Sequence, residues 1–408
     1  MKKIIFLIDM NTFYVTCELL RKPEYKKKPI IIAGEGKRSV VCAASYVAKE
    51  QGIDSAMPLR DARRINPNVI LVEPDFPHYR AQSQRIMAFL KQFDPQAAQS
   101  SIDEAYLDVS HYFVGRHVKR ADIFKLAHFI QGKLFKQLGF PCNVGISTNK
   151  FLAKMASELD KPFKVASIFV SEVEEKMWPQ RIGKMFGIGQ KTASVLEHIH
   201  IKTIGDFATF ENEKLLQNLF GPRILQKQQY ARGIVDSEQE VVEERAERKS
   251  ISHSRTFMED QSAEKVIIEK LAELWQAVVT DLEKKQLKIR SLRVFYKQSD
   301  FHTVQRSITF EDYRADWKHV YETAQEMLYR LWEGEPIRLL GIGVGEFIAR
   351  ANHAQQLDLF ATDWTRVPKQ IQAARRQSAV AFVADHVPDA KLATAQSLLA
   401  EQEKLRKD

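Results

Sequence analysis

Residues 99–109 read Q-S-S-I-D-E-A-Y-L-D-V, and this stretch constrains the fold more than any other. Asp103 and Glu104 stand side by side between Ile102 and an Ala105-Tyr106-Leu107 run that has the look of a strand. A carboxylate taken out of water without a partner is costly or takes up a proton. The segment therefore cannot be an ordinary buried strand. Either the acids sit at a strand end facing water, or a cation lies between them. Taken alone, the pair fits a solvated hairpin turn as well as it fits a site.

The chain has 408 residues, too many for one core, so roughly two to four domains are expected. Its net charge of +9 suits a polyanionic partner without requiring one. Cys17, Cys42 and Cys142 are far apart and form neither a zinc pattern nor a disulfide framework, which points to a reducing compartment. The apolar run Ile4–Ile8 is too short for a secretory leader. No stretch approaches the ~20 apolar residues that span a bilayer. A cytoplasmic protein with no membrane partner is expected.

Ile4–Ile8 is a continuous β-branched run, the pattern of a buried strand, and Asp9 ends it. An acid in that place either caps the next helix or faces a cleft. Asn11 and Thr12 could cap equally well, and Phe13-Tyr14 follow at once. Residues 29–34 and 38–46 read as two more strands, the second running into a helix that carries Lys49. Leu59–Arg64 reads as a helix and Val69–Val72 as a strand, so residues 11–75 form a small α/β unit inserted after the first strand. Amphipathic helices are expected at 78–93 and 121–138, with His128 near the apolar face of the second as a core histidine. A strand at 142–146 and a helix at 150–159 precede Lys161-Pro162.

Phe186–Leu196 (F-G-I-G-Q-K-T-A-S-V-L) has the pattern of a helix-hairpin-helix. Gly187 and Gly189 would let backbone approach a phosphate, and Lys191 with the helix N-terminus would supply positive charge. A plain glycine turn between helices is the alternative. Residues 220–223 (F-G-P-R) resemble a degenerate second copy. Residues 236–247 are acidic without a core pattern and read as a linker. Beyond them a β-α-β-β-α-β order is expected. Its strand at 287–295 alternates, with basic residues, Arg290 and Arg293 among them, on an open face and Lys297 just beyond. Such a face suits backbone tracking of nucleic acid. Gln356-Leu357-Asp358-Leu359-Phe360 is a short apolar peptide in polar surroundings, either a docking motif or a minor helix.

Asp9, Asp103 and Glu104 are three acids at strand ends or turns of one N-terminal unit, with Lys49 and Lys161 as phosphate-binding candidates. Carboxylates without histidine or cysteine favour Mg²⁺. A pair of such ions supports nucleotidyl transfer.

The chain resembles the Y-family (translesion) DNA polymerases, close to the DNA polymerase IV group. The resemblance rests on I-D-M-N-T-F-Y (8–14), S-Y-V-A-K (45–49), S-I-D-E-A-Y-L-D (101–108) and N-V-G-I-S-T-N-K-F-L-A-K-M-A-S (143–157). It continues through D-K-P (160–162), G-I-G-Q-K-T (187–192), K-S-I-S-H-S-R-T-F (249–257) and R-L-L-G-I-G-V (338–344). It implies an α/β multi-domain, right-hand polymerase: palm at 1–10 and 75–165, fingers at 11–74, a helix-hairpin-helix thumb at 166–235, a linker at 236–247, a little finger at 248–348 and a tail at 349–408. It further implies that Asp9, the Met10 carbonyl, Asp103 and Glu104 hold two Mg²⁺ ions. Tyr14 would be the steric gate against ribonucleotides. Tyr46, Lys49, Lys161 and the amides near Thr12 and Phe13 would hold the triphosphate, and Ala56 and Met57 would lie over the nascent base pair. Primer-template DNA, deoxynucleoside triphosphates and, through Gln356–Phe360, a sliding clamp are the implied partners of a monomer. Low-fidelity synthesis across damaged bases without proofreading is the implied activity.

Three departures stand out. Lys49 replaces a frequent arginine, turning a bidentate phosphate contact into a point charge. Phe163-Lys164 stand where a glycine commonly follows the Lys161-Pro162 pair, and A-Q-S replaces an acidic, proline-containing lead-in before Ser101. A non-catalytic scaffold of the same fold would have lost the acids. A helix-hairpin-helix nuclease would lack the Tyr14 gate.

Overall fold

The computed structural model describes residues 3–115, 119–235 and 250–349. The expected linker at 236–247 and the peptide Gln356–Phe360 lie outside the described residues.

The chain begins with β1 (Ile5–Met10), every residue of which is buried. It passes into α1 (Phe13–Arg21) and then a small unit made of β2 (Ile30–Ile32), β3 (Ala43–Ala44), α2 (Tyr46–Glu50), α3 (Leu59–Ile65) and β4 (Ile70–Val72). Next come α4 (Phe76–Leu90), β5 (Ala98–Gln99), β6 (Glu104–Asp108), α5 (Arg120–Leu138), β7 (Cys142–Ser147), α6 (Lys150–Ser157) and β8 (Val165–Ser167). A helical unit holds α7 (Gln190–His198), α8 (Ile204–Thr209), α9 (Glu213–Phe220) and α10 (Arg223–Ala231). The last unit runs β9 (Ser250–Gln261), α11 (Glu264–Lys284), β10 (Leu287–Gln298), β11 (Thr303–Arg314), α12 (Trp317–Leu331) and β12 (Ile337–Ala349), the β-α-β-β-α-β order expected.

Each unit has its own apolar cluster. The N-terminal sheet has the order β5-β6-β1-β7-β8. Its central strand β1 is antiparallel to both β6 and β7. A strand flanked on both edges and covered on both faces must be apolar throughout. That explains the Ile4–Ile8 run and leaves only its end for a charge. The inserted unit is a three-stranded sheet, β3-β2-β4.

In the C-terminal sheet, ordered β11-β10-β12-β9, Leu292, Val294 and Tyr296 of β10 are buried with residues of α11 and α12. This unit docks on the inserted one: Arg38 donates to Asp260 (2.8 Å) and to the Phe257 carbonyl (3.0 Å).

Two expectations need correction. The strand at 38–46 shrinks to Ala43–Ala44. The Ser39 amide bonds the Gly36 carbonyl in a turn, and residues 39–41 pair with the 56–59 loop (Leu59 amide to Ser39 carbonyl, 2.9 Å; Val41 amide to Met57 carbonyl, 2.8 Å) in an isolated bridge rather than with β2. His128 is exposed rather than a core histidine, because the buried stripe of α5 runs through Ile123, Ala127, Ile130, Gln131 and Leu134 and misses it.

Candidate active site

Antiparallel register sets Asp9 at the end of β1 opposite Glu104, the first residue of β6. The Met10 amide bonds the Asp103 carbonyl at 3.0 Å, so the turn before β6 is tied to the same strand end. The three acids therefore share one cleft. The cation that their proximity demands is the ammonium of Lys154, which donates to Asp9 Oδ2 (3.1 Å), Glu104 Oε1 (2.7 Å) and Glu158 Oε1 (2.7 Å). Lys161 adds bonds to Asp9 Oδ2 and Glu158 Oε1, both at 2.9 Å. The Asp103 carboxylate takes a hydrogen bond from the Ser101 hydroxyl at 2.5 Å.

Lys154 and Glu158 escaped the sequence reading. A signal was present: a lysine inside the apolar run of α6, where every residue from Phe151 to Ser157 is buried, must have an anionic partner. Its reach depends on Gly145. A Cβ there would lie 1.9 Å from the Ala153 carbonyl oxygen and 2.6 Å from the Ser157 amide nitrogen. Bare backbone on β7 thus seats α6 against the sheet.

A buried amide network fixes the surrounding loops. Asn11 donates to Asn143 Oδ1 (3.2 Å) and accepts from the Phe163 amide (3.0 Å). Asn143 accepts from the Lys164 amide (3.2 Å) and donates to the Ser157 carbonyl (3.0 Å). These bonds hold the loop that carries Lys161, whose bond to Pro162 is cis.

Thr12 is left-handed (φ 41°, ψ 53°) and caps α1 without a side-chain bond to the first-turn amides. Those amides, from Phe13 onward, are candidate anion donors. Tyr14 stacks on Tyr79 with ring centroids 4.6 Å apart and meets Phe76 edge-on at 5.9 Å. Tyr79 is itself anchored by a bond to Glu18 Oε1 (2.9 Å). The gate candidate is thus propped from behind. Lys49 lies 5.7 Å from the Tyr46 ring centre. Asp9, Met10, Thr12, Phe13, Tyr14, Tyr46, Lys49, Asp103, Glu104 and Lys161 all line one cleft of about 360 Å³. Ala56 and Met57 do not line it; the nearest lining residue is Ser55. Ala56 has φ 69° and bonds the Val41 carbonyl through its amide. A larger cavity of about 640 Å³ lies between Tyr106, Lys150, Phe186 and Lys227, and no carboxylate lines it.

Charge shifts follow this packing. Burial pushes the Glu104 carboxyl up, against the pull of Lys154. Burial alone would depress the Lys154 ammonium, but the charge of Asp9 and the bonds to Glu104 and Glu158 raise it. Lys161 is raised by Asp9 and Glu158 against the same burial penalty. Burial and then the Asp103 charge push the Tyr14 phenol up.

Outside the cleft, Gly187 has φ +85°, and Gly189 caps α7, placing Lys191 in its first turn. The first limb of this hairpin is a single 3₁₀ turn, Ile182–Lys184. Gly221, at φ +79°, joins α9 to α10 at the expected second copy, and Lys227 of α10 donates to the Gly187 carbonyl. On β10, Arg293 is exposed and stacks over Phe295 (5.0 Å), while Arg290 bonds the Phe310 carbonyl (3.2 Å) and Lys297 is half-buried.

Among the described residues, no three His, Cys, Asp or Glu side chains stand close enough together to hold a metal ion. The donor chemistry nonetheless fits a hard divalent cation: Asp9 and Glu104 already share one cation, and the backbone of Met10 and the carboxylate of Asp103 line the same cleft. No helix among the described residues is long and apolar enough to cross a membrane.

Comparison with known proteins agrees along the chain. Residues 8–158 match the impB/mucB/samB family, residues 170–201 the IMS family HHH motif, and residues 248–359 the impB/mucB/samB family C-terminal domain. The fold is similar to that of a Y-family DNA polymerase chimera of Dbh and Dpo4 (TM-score 0.72, 24% identity, 85% of this chain and 99% of that one). The chain belongs to the impB/mucB/samB family, the Y-family of DNA polymerases, with a palm, fingers, helix-hairpin-helix thumb and little finger. Within it, the chain falls in the DNA polymerase IV group. It is 34% identical over 362 residues to DNA polymerase IV of Oceanobacillus iheyensis, covering 88% of this chain and 84% of the relative. To DNA polymerase IV of Bacillus velezensis it is 35% identical over 364 residues, covering 88% and 86%.

Proposed function

We propose that this protein is a template-directed DNA polymerase that extends primers by nucleotidyl transfer, copies damaged templates at low fidelity and does not proofread. The observation that carries the reading is the pairing of Asp9 with Glu104 across β1 and β6, in one cleft with Asp103, Tyr14, Tyr46, Lys49 and Lys161.

In this reading the palm comprises residues 1–10 and 75–165, the fingers 11–74, the thumb 166–235 and the little finger 248–348. Asp9, the Met10 carbonyl, Asp103 and Glu104 would hold two Mg²⁺ ions, which would supply activation of the primer hydroxyl and neutralise charge on the pyrophosphate leaving group. The protein's own groups do the positioning. Lys49, Lys161, the Tyr46 hydroxyl and the amides at Thr12 and Phe13 orient the triphosphate. Tyr14, braced by Tyr79, lies under the sugar and excludes a 2′-hydroxyl. Ala56 and Met57, on the fingers beyond Ser55, face the nascent base pair. Gly187, Gly189 and Lys191 bind backbone phosphates through the thumb, and Arg290, Arg293 and Lys297 do so through the open face of the little finger. Gln356, Leu357, Leu359 and Phe360 tether the enzyme to a sliding clamp, raising its effective concentration on the template. A cytoplasmic location follows from such a role.

Primer extension with Mg²⁺ and deoxynucleotides tests the assignment. Extension by the wild type with loss in Asp103→Ala supports it, and an inactive wild type refutes it.

A further inference from the structure

Four carboxylates, those of Asp9, Asp103, Glu104 and Glu158, line one cleft, and two lysines answer them. Lys161 lies nearer solvent, its side chain 29% exposed against 11% for Lys154. An ammonium carries three donors, and all three from Lys154 are placed on carboxylates. Two of those carboxylates, Asp9 and Glu104, are the groups assigned above to metal. The third, Glu158, caps α6 one turn beyond Lys154 and is 45% exposed.

We propose that Lys154 is the resident counter-cation of the acidic cluster. In the protein without metal its ammonium offsets the charge of Asp9 and Glu104 and occupies the oxygens a cation would use. A divalent cation enters by taking these carboxylates from the ammonium, which stays paired with Glu158. Lys154 is thus a positioning residue that sets the strength and timing of metal binding. The inference rests on the reading of Asp9 and Glu104 as metal ligands. It differs from a purely structural salt bridge, which would help the metal by holding its ligands in place. A counter-cation competes for them.

The test is Mn²⁺ binding to the full-length protein without DNA or nucleotide, read from the electron paramagnetic resonance signal of free Mn²⁺. Lys154→Met keeps the apolar stem and removes the charge, and it should tighten Mn²⁺ binding by roughly tenfold. Its thermal midpoint should fall without metal and rise further than the wild type's when Mn²⁺ is added. Unchanged or weaker Mn²⁺ binding overturns the proposal. Lys154→Gln keeps two amide N–H donors without the charge and should shift affinity in the same direction. If either variant fails to fold without metal, saturating Mn²⁺ should restore folding, and failure to do so counts against the proposal. Asp9→Asn separates the two levels of the argument. Unaltered Mn²⁺ binding in that variant would refute the ligand assignment. Weakened binding there, with no tightening in Lys154→Met, would refute only the role of the lysine.

Discussion

Gly145 in the N-terminal sheet and Gly341 in the C-terminal sheet both let a neighbour press onto bare strand backbone, yet what presses on them differs. At Gly145 it is the backbone of α6, with the Ala153 carbonyl 1.9 Å from where a Cβ would stand. At Gly341 it is the ring of Phe295, 2.2 Å away, on a side chain that can turn aside. The same contrast runs through both regions. In the cleft, Asp9 and Glu104 have cationic partners, Asp103 has the Ser101 hydroxyl, and the loops are cross-braced by Asn11 and Asn143. On the open sheet, Arg293 is exposed and rests only over a ring. Chemistry at one phosphorus atom needs groups held to fractions of an ångström. Tracking a sugar-phosphate backbone needs a positive field and tolerates loose side chains.

This contrast orders the expected effects. Asp103→Ala should reduce primer extension by on the order of 10³-fold while DNA affinity survives; retained extension would remove Asp103 from the site. Tyr14→Ala should relax discrimination against ribonucleotides by about 10²-fold, and single-nucleotide insertion with each sugar checks this. Gly145→Ala should destabilise the protein by about 3 kcal/mol, because a carbonyl and an amide of α6 must move. Gly341→Ala should cost about 1 kcal/mol, since only a ring must turn. Denaturant unfolding compares the two, and equal costs would break the distinction between the regions. Arg293→Ala should lower the salt dependence of DNA binding by roughly one unit of slope, uniformly across sequences.

Legibility in the sequence followed the same division. Asp9, Asp103 and Glu104 were visible because each breaks an apolar pattern, and a charge in such a place needs a reason. Lys154 breaks a pattern too, but lies in a helix, where a lysine passes for a solvated residue until α6 is seen to be buried on the sheet. Gly145 was hidden for a related reason: a glycine in a strand shows its purpose only when the element packed on it is known. The turn at Gly36 and the bridge at Val40 shortened an expected strand, since an apolar run does not announce which segment it will pair with. The β-α-β-β-α-β order of the C-terminal unit was readable because its helices and strands are long and strongly periodic. The hairpin glycines were readable from G-x-G-x-K-T with apolar residues in register, whereas the docking of Arg38 on Asp260 pairs residues far apart in sequence that carry no local signal.

The central claim is that the end of β1 and the start of β6 form a metal-dependent nucleotidyl-transfer site. Its most direct test is extension of a primed template by the purified full-length protein in the presence of Mg²⁺, beside Asp103→Ala at equal DNA occupancy. Templated extension by the wild type is expected, abolished by chelating the metal, with no extension by the variant. Extension that persists in the variant or without divalent metal would contradict that claim.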